Sequence, residues 1–163
     1  DYFRHETLRG YVHDEGAAML GGISGNAGLF GTANDLAKLF QLYLWKGYYG
    51  GDRYFSENTV NNFNRVQFPE NGNRRGLGFD KPLLSNSTQP AEEAYPCKSA
   101  GANSFGHSGY TGTFVWADPD NGLLFVFFSN RVNPTRNNDL LSSLRTRSVM
   151  LQTIYDAIEK GIR

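Results

Sequence analysis

Apolar positions along this chain recur at helical spacing in two places and crowd into short runs between them. Leu36, Leu39, Phe40, Tyr43 and Leu44 share one helix face. Thr32 is a good N-cap for that helix, with Asp35 three residues on, and Gly47 suits its C-terminal end. A shorter helix is predicted from about Ser56, with Val60 and Phe63 facing inward, and 64–75 reads as a polar connection. The period then changes. Gly76-Leu77-Gly78-Phe79 reads as a short strand, and 80–104, with Pro82, Pro90 and Pro96, as a long surface excursion. A strand is predicted over 111–117, then the turn Asp118-Pro119-Asp120-Asn121-Gly122, where Asn-Gly signals a hairpin. The unbroken apolar run over 123–128 predicts a central strand covered on both faces. Leu144, Leu151, Ile154, Tyr155 and Ile158 define a last amphipathic helix over 145–160, packed across one sheet face. The region before Thr32, punctuated by glycines from Gly10 to Gly31, reads as ordered loop.

This pattern describes a single α+β domain, an antiparallel sheet flanked by helices. Residues 1–75 are its mainly helical and loop part; 76–163 carry the sheet and the C-terminal helix. A length of 163 residues suffices for one buried core. Sixteen basic residues balance sixteen acidic ones, which removes the electrostatic case for a nucleic-acid partner or an anionic membrane surface. No apolar run is long enough for a membrane-spanning helix. The single Cys97 cannot form an intramolecular disulfide.

Candidate chemistry concentrates in Phe105-Gly106-His107-Ser108-Gly109-Tyr110-Thr111-Gly112-Thr113. Three glycines near one histidine and several hydroxyls, at the entry to a strand, let a ligand approach the backbone closely. Imidazole, hydroxyl and backbone N–H together can hold a carboxylate or an oxyanion.

His107-Ser108-Gly109 resembles the third motif of the serine β-lactamase and penicillin-binding-protein superfamily, which is Lys-Thr-Gly in many members and His-Thr-Gly or His-Ser-Gly in others. Other segments resemble the same family in the same order. They are Gly10-Tyr11-Val12-His13-Asp14-Glu15, Ser24-Gly25-Asn26-Ala27-Gly28-Leu29-Phe30 with the Asp35-Leu36-Ala37 helix, Gly76-Leu77-Gly78-Phe79, and Phe128-Ser129-Asn130-Arg131-Val132. The wording is most similar to serine hydrolases of Bacteroidota fused behind a glycoside hydrolase family 3 domain. The resemblance implies a part of the β-lactamase/transpeptidase-like fold. It also implies acyl transfer through a serine ester without metal or organic cofactor, on a small molecule or cell-wall peptide, in the periplasm or cell envelope.

By the same resemblance, His107 contacts the substrate carboxylate or leaving group and Ser108 donates to the same anion. Gly109 admits the backbone, and the N–H of Tyr110 is half of an oxyanion hole. His13 and Asp14 belong to a loop lining the cleft; a structural reading makes them a pair that orders that loop. Histidine in place of lysine weakens the fixed positive charge at neutral pH, which favours ester or peptide substrates over β-lactams.

The family's Ser-x-x-Lys nucleophile motif and its Tyr-x-Asn do not occur in these residues. The expectation is therefore a C-terminal portion of such a hydrolase, inactive alone, whose partner is the N-terminal part of the same protein. A non-catalytic module binding cell-wall peptide or sugar is the alternative. Ser24-Gly25-Asn26 is read as a turn rather than a second motif. Asp118 and Asp120 are read as turn residues rather than a glycosidase pair. His5, His13 and His107 lack metal-ligand spacing. Arg74 and Arg75 read as a solvated charge pair, and the aromatics at 43, 45, 48, 49, 54 and 55 as packing.

Overall fold

The computed structural model describes residues 1–161. They form two compact units, Asp1–Thr32 and the remainder from Ala33. The division falls at the helix start, so both central helices and the sheet share the second unit.

In the first unit, Asp14 adopts an extended conformation and caps the short helix α1 (Glu15–Met19), its carboxylate accepting from the Ala17 N–H at 2.7 Å. The Arg4 guanidinium donates to the Val12 carbonyl at 3.0 Å and pairs with Asp1 at 3.2 Å, tying down the preceding loop.

The second unit opens with α2 (Ala33–Leu44), the predicted helix. Gly47 closes it with a left-handed φ of +88°, donating to the Leu42 carbonyl at 2.8 Å. A Cβ there would meet the Phe55 carbonyl oxygen at 2.2 Å, so glycine is required twice over. Two short strands not foreseen, β1 (Tyr48–Tyr49) and β2 (Asp52–Arg53), pair through a Gly50-Gly51 turn. Next, α3 (Glu57–Asn64) starts at its expected cap, Ser56, whose hydroxyl accepts from the Thr59 N–H at 3.0 Å. Val60 is buried as expected, whereas Phe63 is 49 % exposed.

The expected strand at 76–79 does not form. Gly78 takes a φ of +82°, which breaks extended structure, and Asp80 alone makes a bridge, to Gly106. The segment 80–104 is a surface excursion only in part. It is irregular and most of 84–93 is exposed, but Asp80, Lys81, Asn86, Ala94, Cys97 and Ser104 are buried. Side chains replace regular pairing for its backbone. Asn86 donates to the Cys97 carbonyl at 3.0 Å and accepts from the Tyr95 N–H at 2.9 Å. The Lys98 ammonium donates to the Ser87 and Gln89 carbonyls, each at 2.7 Å.

The sheet is antiparallel, in the order β3 (Phe105–Ser108), β4 (Phe114–Asp118), β5 (Leu123–Phe127). The hairpin at 118–122 is where the sequence places it. The strand expected from residue 111 begins at Phe114, because 109–113 form the β3–β4 connection. The central position is a correction. Two hairpins in succession put β4 in the middle, where all five residues are buried, while apolar β5 lies at the edge and is half-buried. Side chains alternate across β4. Val115 and Ala117 pack with Phe40 of α2 and with Phe105. Phe114 and Trp116 pack with Leu151 and Tyr155 of α5 (Thr146–Glu159), the predicted last helix. A four-residue helix, α4 (Leu140–Ser143), precedes α5, and Arg145 at φ +50° separates the two.

Candidate active site

β3 is the strand that carries the motif, and its glycine is dictated by packing. A Cβ on Gly106 would lie 2.1 Å from the Val115 carbonyl oxygen and 2.5 Å from Trp116 Cε3. Among the described residues, no strand pairs with the outer edge of β3 beyond Gly106. His107 lies across from Val115 and Ser108 across from Phe114, so their side chains leave opposite faces of the sheet. His107 is exposed, with Nδ1 2.9 Å from the Ser108 carbonyl oxygen. It sits at the wall of an apolar cavity of about 450 Å³ lined by Leu36, Phe40, Tyr43, Phe63 and Phe79.

Ser108 is half-buried beside the buried hydroxyl of Tyr95. Burial first, and then the Asp80 carboxylate nearby, push the Tyr95 phenol well above the ordinary tyrosine range. Arg74 lies over the Tyr95 ring at 4.6 Å and pairs with Asp80, whose backbone exchanges two hydrogen bonds with Gly106. Arg75 reaches Asp80 at 3.6 Å. The two arginines are thus engaged with a buried carboxylate rather than merely solvated.

After Ser108 the chain turns tightly. The Gly109 N–H donates to the Thr113 carbonyl at 2.8 Å, and the Gly112 N–H to the Gly109 carbonyl at 3.0 Å. Gly112 is required by its backbone, and Gly109 by the room it leaves for Thr113. A Cβ on Gly109 would meet Thr113 Oγ1 at 2.2 Å, and one on Gly112, at φ +105°, would meet Ser129 Oγ at 2.2 Å. Tyr110 stands at the tip of this turn, 53 % exposed.

In the first unit, Asp14 is occupied structurally. Hydrogen bonding from the Ala17 N–H, helped by Asn26 and His13, holds its carboxyl below the ordinary aspartate range against some desolvation. Asn26 Nδ2 donates to Asp14 Oδ1 at 3.3 Å, and the Ser24 hydroxyl bonds Asn26, so 24–26 form a local turn. His13 is partly exposed beside this cap.

Asp118 is fully buried and accepts from Tyr155, Asn121 and the backbone of Gly101 and Asp120. Among the aromatics, Tyr43 packs against Phe79 and Phe55, whereas Trp45, Tyr48 and Tyr54 are largely exposed. Among the described residues, no three His, Cys, Asp or Glu side chains are grouped to hold a metal ion, and no helix is long and apolar enough to cross a membrane. Tyr95, Asp80 and Arg131 flank the motif and its turn; the sequence carries no signal for the first two, and Arg131 stands in the Phe128–Val132 resemblance without a role. Their partners are largely backbone carbonyls and residues distant in the chain, which leave no spacing signal.

The Beta-lactamase family model matches residues 4–146. Proteins named "Putative D-alanyl-D-alanine carboxypeptidase" from Salmonella gallinarum and Salmonella newport are each 37 % identical over 146 residues. The match covers 86 % of this chain but 32 % of either relative, so the chain spans about a third of their length.

Proposed function

From the premise that this chain belongs to the beta-lactamase family, we propose that it forms one wall of the active site of a serine hydrolase. The wall comprises the outer edge of β3 and the turn after it. His107 faces the leaving group, Ser108 donates to a substrate anion near the strand end, and the Tyr110 N–H contributes to an oxyanion hole. One observation carries this reading: the motif lies on an edge strand whose outer side, among the described residues, pairs only with Asp80 at Gly106, and a turn whose glycines leave the backbone approachable follows it.

The chemistry is acyl transfer. A serine hydroxyl attacks the carbonyl carbon of an ester or amide, its proton passes to a neighbouring base, and the leaving group departs with a proton. Water then releases the acyl group and restores the serine. The nucleophile and its base come from sequence outside these 163 residues, because no Ser-x-x-Lys lies within them. The relatives' name supports a D-alanyl peptide as one substrate class. Histidine in place of the motif's lysine supports esters and peptides over β-lactams. The proposed compartment is the periplasm or cell envelope, where such peptides occur.

The test compares the full-length protein carrying this chain with residues 1–163 alone. Both are incubated with a fluorescent penicillin and a p-nitrophenyl ester. The full-length protein should be acylated at one serine upstream of Asp1, and the 163-residue chain at none. Acylation at a serine within 1–163, or no acylation and no ester turnover by the full-length protein, would reject the proposal.

A further inference from the structure

The turn after β3 is held from below by the Arg131 side chain, with the Ser129 hydroxyl donating to the Thr111 carbonyl at 3.4 Å. Arg131 Nε donates to the Tyr110 carbonyl at 2.8 Å, and the Arg131 backbone N–H donates to the Thr111 carbonyl at 2.8 Å. The guanidinium carbon lies 4.5 Å from the centre of the Tyr110 ring. Arg131 Nη1 donates to the Asn138 carbonyl at 2.7 Å and the Arg136 carbonyl at 3.1 Å, so the side chain is itself fixed at its far end. It takes part in no ion pair with a carboxylate among the described residues.

These bonds settle the orientation of one peptide group. The carbonyl of Gly109 accepts from Gly112, and across a trans peptide the Tyr110 N–H points the opposite way, out of the turn. The next peptide plane is held by Arg131 through the Tyr110 carbonyl. Tyr110 is thereby locked between two pinned peptides. A donor fixed in advance stabilises developing negative charge without reorganising, and a nearby cation lacking a counter-ion adds to that.

We infer that Arg131 is a positioning residue, whose guanidinium fixes the Tyr110 peptide so that its N–H is set for an oxyanion. The inference rests on the active-site reading given above. Arg131 touches no reacting atom; it acts through the backbone of the turn. Lysine is a poor substitute, because a point-charge ammonium cannot direct Nε at one carbonyl while Nη1 reaches two others.

The experiment uses the full-length protein and three forms: wild type, Arg131→Ala and Arg131→Lys. Ester turnover is measured with and without added guanidinium ion, and the Tyr110 amide order parameter is measured by 15N relaxation with tyrosine labelling. The expected result is a kcat lowered roughly tenfold to a hundredfold in both variants with KM changed less than about threefold. Guanidinium partly restores Arg131→Ala but leaves Arg131→Lys unaffected, and the Tyr110 amide loosens in both. If Arg131→Ala does not fold, Arg131→Lys carries the test through the same kcat and amide measurements. An amide as rigid as wild type overturns the inference, as does a loosened turn with unchanged kcat, or a kcat loss that follows the folded fraction alone. A wild type with neither acylation nor turnover rejects the active-site reading and the positioning role together. Variants matching an active wild type reject the role of Arg131 alone.

Discussion

The Tyr155 hydroxyl donates to the Asp118 carboxylate at 2.5 Å, and both residues are buried. This bond fastens the last helix to the end of the central strand, on the face opposite α2. Asp118 also accepts from the Gly101 N–H at 2.9 Å, so the same carboxylate ties the 80–104 segment to the sheet immediately before β3.

Burial by itself would raise the Asp118 pKa. The hydrogen bonds from Tyr155, Asn121, Gly101 and Asp120 outweigh burial and leave it below the ordinary value. A carboxylate depressed on folding contributes stability that is present above its unfolded pKa, about 3.9, and is lost as pH falls through the folded pKa. Tyr155→Phe removes one donor to a charged acceptor and should cost roughly 2 kcal/mol at neutral pH. Its deficit against wild type should shrink below about pH 4, as the carboxylate is neutralised in both. Thermal melts of both proteins from pH 7 to pH 3 check this; equal melting temperatures at pH 7 would contradict it.

Lys81 is 5 % exposed, and burial, only partly offset by Asp120 and Asp118, lowers its pKa to about 8. Its ammonium donates to the Asn103 carbonyl at 3.1 Å and to Asn64 at 3.3 Å, without a carboxylate in hydrogen-bond contact. A lysine whose folded pKa lies below its unfolded value of about 10.4 binds fewer protons in the folded state between those two values, so stability rises with pH across that window. Wild type should therefore gain stability from pH 8 to pH 10 relative to Lys81→Met, which has no charge to bury. Denaturant titrations at both pH values measure the gap. A gap that does not move would show that Lys81 keeps its ordinary pKa.

Gly106→Ala tests the packing beneath the motif. The new methyl group would strike the backbone of β4, which cannot yield as a flexible side chain would. A loss of roughly 1–3 kcal/mol is expected, with a fall of several degrees in melting temperature. Calorimetry checks the value, and an unchanged melting temperature would mean that β3 and β4 are less closely apposed.

The helices were legible because their signals are local. Ser56 opens α3, and Leu36, Phe40, Leu151 and Tyr155 repeat at helical spacing. The Gly50-Gly51 turn between β1 and β2 is a local signal of the same kind. Strand order was not legible. The run at 123–128 is more apolar than Phe114–Asp118, yet hairpin order, not hydrophobicity, decides which strand is central. Burial of part of 80–104 was hidden because Asn86 and Lys98 satisfy backbone carbonyls without any periodic pattern. At the site, His107 and Ser108 stood out by motif. Their placement on opposite sheet faces follows from pairing with Val115 and Phe114, and the clamp on Tyr110 from a residue 21 positions away.

The assignment of His107 to the active-site wall is tested most directly by His107→Ala in the full-length protein, with kcat/KM for an ester and the melting temperature measured on the same preparation. His107 is exposed on an edge strand, so its loss should cost under about 0.5 kcal/mol of stability. Loss of one positioned acid–base or donor group should lower kcat/KM roughly tenfold to a thousandfold. A variant that melts like wild type but has lost that activity is the predicted result. A variant that unfolds, while whatever remains folded keeps its specific activity, would make His107 a structural residue and contradict the assignment.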